Sequence, residues 1–186
     1  MRLFVALDIP EDVRAAIGAL VTKLQEPLRD ARWVRIEGAH VTLKFIGEVP
    51  TEKMEDIKAA LQAVPFPAPI KIIFRGLGFF PNDRRPRVLW AGIEAGPALG
   101  DLAAAVDAVL EPLGITREQR AFSPHLTLAR LDSPKYLDRW SEGIATAGPL
   151  EFGSGFANEF HLYQSVLKRG GAEYTRLATF YCAGSK

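Results

Sequence analysis

Along the chain, runs that read as strands alternate with runs that read as helices. RLFVALDI (2–9) opens it, dense in β-branched and aromatic residues. From Pro10-Glu11-Asp12 the apolar spacing lengthens to that of a helix, with Val13, Ile17, Leu20, Val21 and Leu24 on one face. AHVTLKFIGEV (39–49) returns to strand spacing. TEKMEDIKAALQA (51–63) reads as a helix, its Thr51, Glu52 and Glu55 suiting an N-terminus. PIKIIFRGLGFF (69–80) and RVLWAGIE (87–94) read as strands. A helix is expected from about Pro97, turning Leu99, Leu102, Val106, Val109 and Leu110 inward. PHLTLAR (124–130) is a further strand and PKYLDRWSEGIAT (134–146) a further helix. EFGSGFANEFHLYQSVL (151–167) and YTRLATFYCA (174–183) close the chain as strands. LKRGGAEY (167–174) reads as a hairpin connection with Gly170-Gly171 at its turn.

This order contains an internal repeat. His40 and His125 stand 85 residues apart, and at that offset residues 3–47 pair without a gap with 88–132. Eleven of those 45 pairs are identical, including His40, Thr42 and Leu43 and the Glu26-Pro27-Leu28 triplet. Chance gives about three with ordinary residue usage. Each copy reads as strand, helix, short link, H-x-T strand, helix and closing strands. In each, the proline of E-P-L falls near the end of the first helix. The expectation is an α+β fold of two pseudo-symmetric lobes, each an antiparallel sheet backed by helices. With no long linker between the copies, the lobes form one domain over 1–186 around a central cleft.

Composition changes this picture little. The chain is 48% hydrophobic and 24% charged, with a formal net charge of +1, so no global basic field marks a binder of long nucleic acid. A single cysteine, Cys182, excludes an intramolecular disulfide and a multi-thiolate zinc site, and suggests a reducing, cytoplasmic setting with the thiol inert. The opening apolar stretch is too short for a signal-peptide core, and no run reaches the length of a membrane span, so no membrane partner is expected.

The informative residues are the histidines in apolar strands. Side chains alternate along a strand. Val41, Leu43 and Phe45 then face the core, with His40 and Thr42 together on the other face. Leu126 and Leu128 likewise turn inward, and His125 and Thr127 outward. Lobes related by a pseudo-two-fold axis bring both His/Thr pairs to one cleft. Imidazole, with an ordinary pKa near 6.5, both gives and takes protons near neutrality, so two of them divide into acid and base. Two hydroxyls suit the nonbridging oxygens of a phosphodiester. Residue chemistry leaves open which histidine is the acid. One ligand per motif argues against a metal site, and neither G-x-S-x-G nor a P-loop is present.

Two H-x-T strands with these flanks resemble the 2H phosphoesterase superfamily. The similarity is greatest to its RNA 2′,3′-cyclic phosphodiesterases, long named 2′-5′ RNA ligases. It covers essentially the whole chain: RLFVALDIPEDVR, HVTLKFIGEV, GLGFFP with RPRVLWAGI, FSPHLTLAR and LYQSVLKRGGAEYTRL. The resemblance implies hydrolysis of RNA 2′,3′-cyclic phosphate ends to 2′-phosphates without metal or cofactor. It implies His40 as proton donor to the leaving 3′ oxygen and His125 as the base that activates water, with Thr42 and Thr127 holding phosphate oxygens. Run backward, the site joins a cyclic end to a 5′-hydroxyl. The expected partners are RNA ends, tRNA fragments among them, or cyclic nucleotides, and the expected state is a monomer. Two alternatives stand beside this: a binding module of the same fold with little turnover, and a phosphodiesterase for another cyclic or 2′-5′ nucleotide.

Arg130 matches a position that is commonly arginine in that family and is expected to contact substrate. Strict alternation places it on the core side, which a charge resists, so the strand is expected to end or bulge there. Lys44, on the His40 face, reads as a solvated strand lysine or an added positive charge. Arg84, Arg85 and Arg87 form the one local basic cluster, a solvated loop or an RNA contact. His161 lacks the threonine two residues on, with Tyr163 in that place, and reads as structural or surface. Phe45 and Phe122, beside the motifs, read as core by default, with stacking on a base as the alternative.

Overall fold

A computed structural model describes residues 1–26, 28–29, 31–131, 150–168 and 171–184. Nine strands run in the order β1 (Arg2–Asp8), β2 (Ala31–Trp33), β3 (His40–Glu48), β4 (Ile70–Phe80), β5 (Val88–Ala95), β6 (His125–Leu131), β7 (Glu151–Ala157), β8 (Glu159–Lys168) and β9 (Gly171–Tyr181). The helices are α1 (Glu11–Gln25), α2 (Met54–Gln62) and α3 (Pro97–Leu110). The expected helix at 134–146, Pro27 and Gly170 lie outside the described residues. None of the described helices is long and apolar enough to cross a membrane.

Local sequence accounts for most of these elements. α1 buries the five residues its periodicity predicts: Val13, Ile17, Leu20, Val21 and Leu24. α3 begins at Pro97, where a missing N–H costs nothing, and buries Leu99, Leu102, Ala103, Val106 and Leu110. Val109 is only partly buried at its edge. Past α3, Glu111–Leu113 form a 3-10 turn closed by Gly114 at φ 81°, a left-handed cap that glycine accepts without strain. Thr51 opens a 3-10 turn ahead of α2 and makes no capping hydrogen bond.

The strands form two antiparallel sheets, in the orders β3-β1-β8-β9 and β2-β6-β5-β4-β7, here sheets A and B. They share one hydrophobic core with the helices. This is the α+β, two-lobed arrangement expected, with one correction. The halves of the chain do not close on themselves. β4 follows the first H-x-T strand in sequence yet pairs with β5 in sheet B, and β8 follows the second yet pairs with β1 in sheet A. β2 also crosses to sheet B, pairing with β6. The run 151–167, expected as one strand, divides at Asn158, with β7 in sheet B and β8 in sheet A. The helices interlock the lobes further: α1 lies against β7, and α3 against β3.

Candidate active site

Each histidine begins its strand. His40 pairs with Asp8 across β3 and β1, and His125 with Gly92 across β6 and β5. β3 and β6 lie against each other although they belong to different sheets. In both, the imidazole Nδ1 meets the backbone carbonyl two residues upstream: Gly38 at 2.7 Å for His40, Ser123 at 2.8 Å for His125. A carbonyl only accepts, so Nδ1 carries the hydrogen in both rings. Nε2 is then the nitrogen left for proton transfer, bare in the neutral ring and protonated in the cation.

The first strand aligns differently from the ungapped repeat. Asp8 and Gly92 face the two histidines, so strand faces coincide at an offset of 84 there. The core residues agree: Val5 and Leu7 in β1 correspond to Leu89 and Ala91 in β5.

Both H-x-T strands carry a bulge at the leucine after the threonine. In β3, Thr42 pairs with Ala6 and Lys44 with Val5, leaving Leu43 extra. In β6, Thr127 pairs with Trp90 and Ala129 with Leu89, leaving Leu128 extra. An extra residue reverses the alternation beyond it. Three expectations are settled by this. Phe45 is not core: it is 64% exposed and pairs with Phe4, on the His40 face. Lys44 is not solvated: it is 6% exposed on the inward face, paired with Asp107 of α3 and donating to the Thr116 carbonyl at 2.6 Å. Arg130 escapes the core side as expected, exposed and paired with Val88 on the His125 face.

The surroundings of the two histidines differ. His40 stacks on Phe4, ring centroids 4.5 Å apart, and meets Tyr174 edge-on at 5.2 Å. Tyr163 stacks in the same cluster, 5.3 Å from Phe4 and 6.4 Å from His40. His125 meets Phe80 edge-on at 4.8 Å. Between the strands, sheet A sets Ala6 beside His161, whereas sheet B sets Trp90 beside Gly78. Gly78 is required there, because a Cβ would lie 2.2 Å from the Trp90 ring.

A network that sequence reading missed stands next to His40. Asp8 Oδ1 accepts from the Tyr163 hydroxyl at 2.5 Å, and Oδ2 pairs with Arg176. Burial and the bond to Asp8 push the Tyr163 phenol up to about 12. His161 is fully buried beside them, with Nδ1 3.0 Å from Thr179 Oγ1 and Nε2 3.6 and 3.5 Å from carboxylate oxygens of Asp8 and Glu159. Burial lowers its pKa against the pull of both carboxylates, and of the two readings, structural or surface, its full burial excludes the surface one. The four residues are brought together by β1, β8 and β9 pairing, and no spacing in the chain announces them. Phe122 packs against the core and Cys182 is buried.

Burial also lowers the pKa of His40, against upward contributions from the Gly38 carbonyl and the Asp8 carboxylate. In an NMR titration of the free protein, His40 is expected to titrate below 6.5. Asp8→Asn removes an opposing negative charge and is expected to move the midpoint lower still; an upward move would contradict the assigned electrostatics.

Residues 7–90 and 93–174 match the family described as LigT-like phosphoesterases. An RNA 2′,3′-cyclic phosphodiesterase of Archaeoglobus fulgidus is 35% identical over 182 residues, 97% of this chain and 99% of that protein. The crystal structure of TT0787 of Thermus thermophilus superposes with a TM-score of 0.82 at 36% identity, covering all of both chains. That of E. coli LigT complexed with 3′-AMP gives 0.80 at 29% identity, covering 98% of each chain.

Proposed function

Since the chain belongs to the LigT-like phosphoesterases, we propose that it hydrolyses RNA 2′,3′-cyclic phosphodiester ends to 2′-phosphomonoesters by acid–base catalysis between His40 and His125. The observation that carries this reading is the matched presentation of the two imidazoles, each held through Nδ1–H by a carbonyl so that Nε2 is free to exchange a proton. Water attacks phosphorus while His125 Nε2 takes its proton. The bond from phosphorus to the ribose 3′ oxygen breaks, and His40 Nε2–H supplies the proton that this oxygen needs. Thr42 and Thr127 lie on the same strand faces and donate to the nonbridging oxygens. The same ring opening with a 5′-hydroxyl attacking in place of water, His125 taking its proton and His40 protonating the 3′ oxygen, makes a 2′-5′ bond at the same site.

A proton donor must hold its proton. Burial of His40 works against this, and Asp8, the Gly38 carbonyl and the charge of the bound phosphate work for it. Beyond the bulges, Phe45 and Arg130 occupy matched positions. Phe45 offers an exposed ring on which a base stacks, and Arg130 a guanidinium for a phosphate.

The test is hydrolysis of a 2′,3′-cyclic mononucleotide and of an oligoribonucleotide with a 2′,3′-cyclic end, in EDTA, with the product isomer identified. A 2′-phosphate and a bell-shaped pH profile are expected. Loss of activity in EDTA, or a 3′-phosphate product, would overturn the mechanism.

A further inference from the structure

The end of sheet B beyond His125 concentrates arginines, of which the phosphodiesterase reading uses Arg130 alone. Arg32 of β2 pairs with Arg130 of β6, and Arg130 with Val88 of β5. Arg87 precedes Val88, and its carbonyl accepts from the Leu131 amide at 2.9 Å, which sets it beside the same end of β6. Arg84 and Arg85 stand in the turn between β4 and β5, their amides both donating to the Asn82 side chain at 3.1 Å. All five are exposed. Arg84, Arg85, Arg87 and Arg130 make no ion pair among the described residues. The turn contributes one acid, Asp83. For a chain of net charge +1, this is a local concentration of positive charge.

Arg130 links this end of the sheet to the site. The bulge at Leu128 turns Arg130 onto the face of His125 and Thr127. Arg130 lies five positions beyond His125, about 16 Å along an extended strand. The matched end of sheet A is aromatic instead, with Phe45, Phe4, Tyr163 and Tyr174.

We infer that this arginine end is a docking surface for the single-stranded RNA that carries the reacting cyclic phosphate, and that it grips backbone phosphates on the 5′ side of that end. The inference rests on the phosphodiesterase reading for its substrate. Guanidinium groups bind phosphate bidentately, and their contribution falls with salt as counterions compete. Arg84 and Arg85, in the exposed turn outside the strands of sheet B, act on an oligonucleotide and not on a mononucleotide.

The test is the double variant Arg84→Ser, Arg85→Ser, whose exposed turn keeps its Asn82 bonds. With an eight-residue oligoribonucleotide ending in a 2′,3′-cyclic phosphate, KM is expected to rise about tenfold at 0.1 M salt. The slope of log KM against log salt becomes shallower by about 0.7 for each phosphate that the variant no longer neutralises. With a cyclic mononucleotide, kcat/KM stays within about twofold, a charge in an exposed loop acting little at a distance through salt. Unchanged oligonucleotide KM and salt slope would overturn the inference. If neither substrate turns over, the phosphodiesterase reading fails separately. Fluorescence anisotropy with a labelled oligoribonucleotide bearing a 2′-phosphate end still judges the surface. Weaker binding by the variant supports it, and equal binding overturns it.

Discussion

Replacing His125 by alanine is expected to lower kcat on a cyclic phosphate end by roughly 10²- to 10⁴-fold, the range of positioned acid–base catalysis. His40→Ala is expected to fall as far. Both rings are partly exposed, and each hydrogen-bonds a carbonyl two residues upstream, with His40 packed on Phe4 and Tyr174 and His125 on Phe80. KM should therefore change far less than kcat, and the folded state should persist by circular dichroism. The two variants separate on a second substrate. A phosphodiester with an activated phenol as leaving group departs without a proton. His40→Ala should recover most of its activity on it if His40 is the acid, whereas His125→Ala should stay inactive. Recovery by His125→Ala instead would reverse the roles. Equal, modest losses in both variants on both substrates would favour the binding-module alternative.

Lys44→Met is expected to destabilise the protein by about 3 kcal/mol, the lower part of the range for breaking a buried ion pair. The Lys44 and Asp107 side chains are 5% and 13% exposed, so removing the ammonium leaves a carboxylate largely without water. The cost stays toward the low end because Arg117 stands 3.5 Å from Asp107 Oδ2 and the Glu118 amide donates to the same carboxylate. For a chain of this length the midpoint of thermal unfolding should drop by about 6–12 °C. Adding Asp107→Asn removes the stranded charge, keeps an acceptor for the Glu118 amide, and should restore most of the loss. A single variant within about 0.5 kcal/mol of the parent would mean that the pair contributes nothing net, as many surface pairs do. The pair fastens α3 to β3, the strand it packs against and the one that carries His40.

Hydrophobic spacing was sufficient for the helices and for the existence of most strands. α1 and α3 bury the side chains their periodicity selects, because a helix face is set by residues three and four apart on one element. The two H-x-T strands were legible for a similar reason. Alternation within a strand places a histidine and the threonine two residues on at one face, whatever the strand pairs with. The family resemblance rests on the same motifs.

What lay beyond the sequence depends on pairing between distant segments. The bulges at Leu43 and Leu128 arise where each strand meets its neighbour, and no local signal in T-L-K or T-L-A marks the extra residue. Those bulges decide that Lys44 is buried while Phe45 and Arg130 share the histidine faces. The exchange of β4 and β8 between lobes is equally nonlocal, since either sheet offers an antiparallel edge and only the shared core selects one. Asp8, Tyr163, Arg176 and His161 meet through strands up to 168 residues apart. By itself the sequence determined the repeated elements and the two His/Thr pairs, because both follow from the geometry of single elements. The tertiary structure alone decided which charges are buried and which line the site, because strand register is a property of two segments and not of one.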